Sequence, residues 1–328
     1  MIVIIEHAHW AKSIWLKGLF PFWDRIAIPC FMVISGFVYS ESIKGKTIKE
    51  AYEPKTIWRK LNRYLIPFLF VYTSELLIYY LIGQDSFISF LHNRFNYSFN
   101  SDPLEKLTLS NILDSLIRSG YGPGNYYTPV MVQLVLLFPL MYFFMKKYKY
   151  KGLIASFLFC LGSELWQYYF HIPRTTYRLL IFRHILTICF GIYLYLGLYK
   201  KNKPLIFLSM AIGFIYIVAH SYYQWTPVIF NPGWADVNFV VCLFFMPIIA
   251  FIIQKEKITC KPIELIGRAS YHIYLTQMIY YNFAEKEIVM SLLHNQYIWV
   301  GFSLLICVFF GLCFYQTEKK IRSKLLLK

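Results

Sequence analysis

Long apolar stretches alternate with short, lysine- and arginine-rich segments along almost the whole chain. A transmembrane helix needs about 20 mostly apolar residues to cross the hydrocarbon region of a bilayer. About ten stretches approach that length, so the pattern predicts an all-α, polytopic integral membrane helical bundle. The predicted spans are 1–16, 23–39, 65–82, 129–145, 152–170, 182–198, 204–222, 237–253, 265–283 and 298–314.

The basic residues support this prediction and give the bundle an orientation. Lysine and arginine collect in cytoplasmic loops, so successive loops should alternate in their content. With a cytoplasmic N-terminus, the inner segments hold 23 of the 33 Lys and Arg residues. Both termini are therefore predicted to be cytoplasmic, and residues 83–128 to form a long extracytoplasmic loop. Leucine and isoleucine at helical spacing over 109–117 predict a helix in this loop, either interfacial or re-entrant, or simply packed on the surface.

Composition points to lipid as the solvent. Hydrophobic residues make up 58% of the chain and charged residues only 15%, whereas a soluble domain carries about 25% charged residues. The net charge of +16 lies in clusters between apolar stretches, which excludes nucleic acid as the expected partner. The seven cysteines show no CxxC spacing, so neither a disulfide framework nor a metal site is expected. Because Lys12 interrupts the short first span, we expect that helix to be incomplete at Met1.

Ionisable side chains near the spans are candidates for chemistry, because burying them in lipid is costly. His7 in the first span is a candidate general base for a hydroxyl, since an imidazole is neutral near pH 7. A histidine bonded for structural reasons is the alternative. Arg59, Lys60 and Arg63 lie at the inner mouth of the third span. Arg59 and Arg63 share a helix face and are candidates for binding phosphates, the alternative being ordinary anchoring at the membrane surface.

A second group of candidates lies within the spans or at their outer ends. The glycine-rich segment 120–129 opens the fourth span, and its tyrosines and amides offer the stacking and hydrogen bonds that sugars need. Glu164 and Arg183 are predicted to pair, because a carboxylate inside a bilayer needs a partner or a proton. Helix packing, bracing by charges and a simple turn are the structural alternatives. The candidate acceptor-binding or supporting residues are Ser35, Glu75, Asn125, Tyr127, Gln133, Glu164, Arg178 and Arg183.

At these motifs the chain resembles the membrane acyltransferase 3 family, bacterial proteins that O-acylate cell-surface carbohydrates. The resemblance covers nearly the whole chain and rests on five segments in the expected order, 5–8, 29–37, 59–67, 120–127 and 266–275. Two departures stand out. Family members usually have an arginine or lysine upstream of the first-span histidine, which here would precede Met1. Many also read Tyr-Leu-x-His in the penultimate span, where this chain has Gln277.

The resemblance implies an acyltransferase that takes acetyl or another short acyl group from cytoplasmic acyl-CoA and delivers it to a hydroxyl of an exported glycan. His7 matches the histidine regarded as catalytic, and Arg63 with Lys60 or Arg59 matches the basic motif linked to the acyl donor. Acetyl-CoA is then a co-substrate, and no bound cofactor is expected. The expected setting is the bacterial cytoplasmic membrane, with one multi-pass domain over residues 1–328. Membrane lipids, the glycan acceptor and other polysaccharide-biosynthesis proteins are the expected partners.

Two other functions fit the same pattern. A polysaccharide transporter or flippase would use the same polar cavity and aromatic residues, but would need neither CoA nor a catalytic histidine. A glycan polymerase or ligase would use a lipid-linked sugar donor and ignore acetyl-CoA. Consumption of a thioester by the purified protein separates the acyltransferase from both.

Overall fold

The computed structural model describes residues 4, 22, 27–82, 106–122, 124–198, 203–230, 239–254, 260–283 and 296–326. Within these residues every regular element is helical and no strand occurs, which confirms the predicted all-α class. A 3₁₀ helix, Ile181–His184, precedes α8. The α-helices in chain order are α1 (Ala27–Ile43), α2 (Ile48–Ala51), α3 (Pro54–Ile82), α4 (Leu109–Arg118), α5 (Tyr127–Tyr148), α6 (Tyr150–Tyr169), α7 (Arg174–Tyr177), α8 (Ile185–Tyr195), α9 (Lys203–Tyr223), α10 (Phe239–Gln254), α11 (Lys261–Arg268), α12 (Ser270–Phe283) and α13 (Gln296–Leu326).

Several of these helices have the length and apolar character of membrane spans. Four of the described segments are long and apolar enough to cross a bilayer, namely Ile48–Leu81, Tyr127–Tyr148, Pro204–Tyr223 and Ile298–Lys324. Shorter apolar helices are Ala27–Ile43, Ile181–Tyr195 and Phe239–Ile252. All of them overlap predicted spans. The full set of about ten spans, with both termini cytoplasmic, stays a prediction.

The hydropathy pattern mislocates some helix ends. Helix α3 begins at Pro54 rather than at 65, and α13 continues to Leu326, because helical hydrogen bonding persists where the apolar sequence stops. The predicted span 265–283 is two helices that meet at Ala269. The first of them, α11, has no buried residue and carries an exposed Glu264–Arg268 ion pair, so it is a surface helix.

The helices group into two compact units. The first unit contains Met1–Ala11, Leu61–Pro129 and Ile258–Lys328. The second unit contains Lys12–Lys60 and Val130–Lys257.

Helix α8 is the centre of the second unit. It packs against α1, α6 and α10, and α9 packs on α10. Nine of its eleven residues are buried, as expected for a helix that is hydrophobic on every side. Its contact with α1 is a crossing of two glycines. A Cβ at Gly36 would lie 2.2 Å from the carbonyl oxygen of Ile188, and a Cβ at Gly191 would lie 2.1 Å from that of Val33. The small residues therefore bring two backbones into contact, which supports helix packing as the role of the segment around Ser35.

The first unit is built on α3, α12 and α13. Phe68, Val71 and Tyr72 of α3 form a core with Leu275 and Met278 of α12. Helix α13 packs along α12. Together these helices provide a buried frame for the loop segment that precedes α5.

Ile4 belongs to the core of the same unit. It is the one described residue of the first predicted span, and it is buried against Ala269, Ile273 and Cys307. Its carbonyl oxygen accepts a hydrogen bond of 2.8 Å from the Tyr281 hydroxyl. Ile4, three residues before His7 in the sequence, is thus bound to α12.

Helix α4 confirms the helix predicted in the long loop. The Tyr72 hydroxyl donates to the carbonyl oxygen of Ile112 at 2.7 Å, so α4 lies alongside α3. Tyr72 is about 15 Å along the axis from the last residue of α3, at 1.5 Å per residue. Leu109, Leu113 and Ile117 are exposed on α4. These exposed apolar side chains fit the interfacial, re-entrant and surface interpretations of α4 alike.

Candidate functional site

The residues predicted to form the site fall into separate parts of the structure. His7 lies outside the described residues. The first unit contains Arg63, Glu75, Asn125 and Tyr127. The second unit contains Ser35, Arg59, Lys60, Gln133, Glu164, Arg178 and Arg183.

Glu75 anchors the turn between α4 and α5. Its side chain lies on α3, and the residue is only 2% exposed. The carboxyl group accepts a hydrogen bond from the backbone N–H of Tyr121 at 3.3 Å and from Nδ2 of Asn282 at 2.6 Å. The backbone N–H of Gly122 donates to it as well. Three donors therefore converge on this buried carboxyl group.

Glycines allow the turn to approach this anchor. Gly120 has a φ of +96°, and a Cβ there would lie 2.7 Å from Oε2 of Glu75. A Cβ at Gly122 would lie 2.4 Å from the carbonyl oxygen of Met278. Asn125 closes the turn, because its Nδ2 donates to the carbonyl oxygen of Gly120 at 2.9 Å. Asn125 and Glu75 therefore share one task in this structure, which is to hold the backbone of the turn.

Four tyrosines pack beside this turn, and we call Tyr64, Tyr127, Tyr271 and Tyr274 the tyrosine cluster. The ring centroids of Tyr127 and Tyr274 are 4.9 Å apart, and those of Tyr64 and Tyr271 are 5.1 Å apart. The Tyr271 hydroxyl donates to the carbonyl oxygen of Tyr64 at 3.1 Å and lies 3.2 Å from Oγ1 of Thr128. The tyrosine cluster thus joins the beginning of α5 to the α3 turn that follows Arg63.

This contact brings together two motifs that the sequence places at opposite mouths of the bundle. Segment 59–67 was expected at the inner mouth and segment 120–129 at the outer one. In the first unit, however, the Tyr271 hydroxyl contacts both the carbonyl oxygen of Tyr64 and Oγ1 of Thr128. The Tyr271 side chain therefore bridges the two motifs. The reason is that the segment before α5 packs against α3 and α12, and a hydropathy pattern does not record which helices a loop contacts.

The second unit holds another buried polar group. Glu164 is 5% exposed and accepts a hydrogen bond from the Tyr177 hydroxyl at 3.2 Å. Tyr177 also lies 3.0 Å from Oγ of Ser163. Arg183, 3% exposed, interacts electrostatically with Glu164 and Tyr177. Glu164 and Arg183 are thus both buried and close enough to interact electrostatically, and a direct pair between them stays a prediction. Tyr177 and Ser163 belong to the same group, and sequence reasoning missed them.

Gln133 fixes the segment that leads to Arg183. Its Nε2 donates to the carbonyl oxygen of Leu179 at 2.6 Å, and its Oε1 accepts from the backbone N–H of Ile181 at 3.1 Å. Arg178 lies half-buried at the start of this segment. Both ends of the Gln133 amide are engaged with backbone, so in this structure the residue supports the segment.

The basic residues predicted to bind the acyl donor differ in their surroundings. Arg59 and Arg63 are exposed and lie one turn apart on α3. Lys60 is half-buried, because its Nζ donates to Oγ of Ser42 at 2.9 Å and lies 5.2 Å from the ring centre of Tyr39. The two arginines thus present their guanidinium groups outward. Ser35 is half-buried on α1, beside the glycine crossing.

Replacing Glu75 by glutamine is expected to loosen the turn before α5. Glutamine keeps one side-chain oxygen and replaces the other by a donor, so either the backbone N–H of Tyr121 or Nδ2 of Asn282 loses its acceptor. An unsatisfied buried donor costs about 1–3 kcal/mol. Denaturant unfolding of the purified protein in detergent should show a loss of that size. Asp114→Asn is the control, because Asp114 pairs with Arg118 on the exposed side of α4 and should change stability little. Equal stability of the two variants would show that Glu75 does not anchor the turn.

Comparison with known proteins gives one match. A family model described as an acyltransferase domain matches residues 1–317. Neither the curated proteins nor the solved structures contain a significant match to the chain.

Proposed function

The chain belongs to the membrane acyltransferase 3 family and is an acyltransferase, and we propose that it moves an acetyl or other short acyl group from cytoplasmic acyl-CoA to a hydroxyl of a cell-surface or exported glycan. The observation that carries this proposal is the contact at Tyr271. It joins the α3 turn beside Arg63 to the beginning of α5, which supports a site where the motifs proposed for the donor and the acceptor meet. The proposed setting is the bacterial cytoplasmic membrane, crossed by about ten helices.

The donor would bind through the basic end of α3. Coenzyme A carries phosphates, and a guanidinium group binds phosphate through two parallel hydrogen bonds. Arg59 and Arg63 are exposed and one helical turn apart, which suits a ligand with more than one phosphate. In this proposal the acyl group then extends from Arg63 towards Tyr64 and the tyrosine cluster.

The acceptor would bind beside the glycine-rich turn. Tyr127 and Tyr274 offer aromatic faces to a sugar ring, and the nearby Thr128 hydroxyl offers a hydrogen-bonding group. Glu75 and Asn125 would keep the turn in shape while the glycan comes and goes. Their engagement with backbone supports this role better than direct contact with the sugar.

His7 would carry the proton during the transfer. As general base it takes the proton of the glycan hydroxyl, whose oxygen attacks the carbonyl carbon of the thioester. The carbon–sulfur bond breaks, and the leaving thiolate takes up the proton from the imidazolium. Ile4, which precedes His7 in the chain, is buried in the unit that contains Tyr271 and Arg63. That placement supports the same unit as the location of the chemistry.

The proposal is tested by following both products. Purified protein in lipid nanodiscs is given acetyl-CoA with a labelled acetyl group and the total glycan fraction from a strain that lacks this gene. We expect free coenzyme A thiol to appear together with label in the glycan, and a glycan fraction from the parent strain, already acylated, to take up less label. A transporter or flippase would move glycan and release no thiol, and that outcome would contradict the proposal.

A further inference from the structure

A largely buried ionisable cluster connects three helices of the first unit. Glu318 of α13 binds Nε2 of His272 with one carboxyl oxygen and Nε of Arg322 with the other. Arg322 also donates to the carbonyl oxygen of Asn62 in α3, at 3.0 Å. The side chains of His272 and Glu318 are only 8% and 13% exposed. We call His272, Glu318, Arg322 and Asn62 the Glu318 cluster.

The Glu318 cluster has a fixed geometry. The His272 ring is packed edge-on against Phe314 and Tyr315, with ring centroids 4.9 and 5.3 Å away. Its Nδ1 is buried without a hydrogen-bond partner among the described residues, so Glu318 accounts for the polar contact of this imidazole. Charge-assisted hydrogen bonds to both oxygens leave the carboxylate little freedom. Arg322 is consequently held in one direction, towards α3.

The α3 turn that Arg322 reaches is one that needs support. Pro67 lies inside α3, and proline has no N–H to give to the carbonyl four residues earlier, which belongs to Arg63. The helix is therefore weakened at the turn that presents Arg63. Arg322 supplies an external hydrogen bond to the adjacent carbonyl, that of Asn62.

We propose that Glu318 is a positioning residue for the acyl donor. Through Arg322 it holds the Asn62–Arg63 turn where the Arg63 guanidinium can meet a phosphate of acyl-CoA. This inference rests on the proposed function, because it takes Arg63 as a donor-binding residue. It adds that donor affinity depends on a carboxylate in the last helix, far from Arg63 in sequence.

The test is the variant Glu318→Gln, which keeps the size of the side chain and removes its charge. We expect the KM for acetyl-CoA to rise about tenfold with kcat changed less than about twofold, as for a lost binding contact. The increase in melting temperature that coenzyme A gives should shrink in parallel. Glu264→Gln is the matched control, since Glu264 makes an exposed pair with Arg268 on α11, and it should change neither quantity.

Each alternative result has its own meaning. A lower melting temperature of the unliganded variant, with KM and the coenzyme A effect as in the wild type, would make Glu318 merely structural and overturn the inference. Should Glu318→Gln not accumulate, Arg322→Gln removes the bond to Asn62 from a side chain that is 34% exposed, and an unchanged KM there would be equally decisive. If the wild type is neither stabilised by coenzyme A nor consumes acetyl-CoA, the proposed function fails first, and this inference falls with it.

Discussion

Replacing His7 by alanine is expected to abolish acylation of the glycan while the protein still accumulates in the membrane. A positioned general base contributes about 10²–10⁴-fold to a reaction rate, so the loss should fall below detection in cells. The readout is the acyl content of the surface glycan in a deletion strain that carries the variant gene. Immunoblotting of the membrane fraction gives the amount of protein.

The control for this experiment is an exposed histidine that is not one of the candidate site residues. His171 is exposed and follows α6 with a φ of +48°, a backbone conformation that asparagine tolerates. His171→Asn should therefore accumulate and acylate like the wild type. Undiminished acylation by His7→Ala would remove His7 from the mechanism and leave the general base unassigned.

Replacing Gly191 by alanine should have the largest effect on stability. The added methyl group would lie 2.1 Å from the carbonyl oxygen of Val33 and 2.9 Å from the backbone nitrogen of Phe37. Both neighbours are backbone of α1, so neither can rotate aside and the two helices must separate. We expect a loss of about 3 kcal/mol or more. Thermal unfolding in detergent, followed by gel filtration of the soluble fraction, measures it.

Gly162 on α6 provides the matched control in the same unit. A Cβ there meets nothing within 4 Å, and alanine is preferred to glycine in a helix by about 1 kcal/mol. Gly162→Ala should thus melt at the wild-type temperature or slightly above it. If Gly191→Ala melts in the same range, α1 and α8 do not cross as closely as described.

The sequence predicts the positions of the apolar helices because lipid imposes a simple requirement on them. Stretches such as 27–43 and 127–148 must be apolar over their length, and that property is readable residue by residue. Breaks are harder to predict. Residues 265–283 have one continuous apolar average, although α11 ends at Arg268 and α12 begins at Ser270. A window average conceals which faces are buried, so it joined a surface helix to a core helix.

The candidate site, too, can be predicted only in part from the sequence, because the sequence does not show which side chains the fold brings together. Glu75 is recognisable from sequence, because a lone carboxylate in an apolar stretch needs a partner. Its partners are not, because Tyr121 and Asn282 are brought to it by the fold from distant parts of the chain. The role of Glu318 is harder still to predict from the sequence. It lies directly before the cationic C-terminal residues, so the pattern places it in the same solvent-exposed segment. Its contact with His272 and its low exposure show that the carboxylate is turned inward.

The shielding of α8 constrains how the protein can be inserted during synthesis. At 1.5 Å per residue this helix of eleven residues is about 16 Å long, roughly half of the hydrocarbon thickness. Arg183 and His184 are buried just before it. Two of its neighbours, α1 and α6, precede it in the chain, but α10 follows and ends only at Gln254. When α8 leaves the ribosome, α10, one of its packing partners, has not yet been synthesised. We therefore expect the insertion machinery to retain α8 until α10 is available.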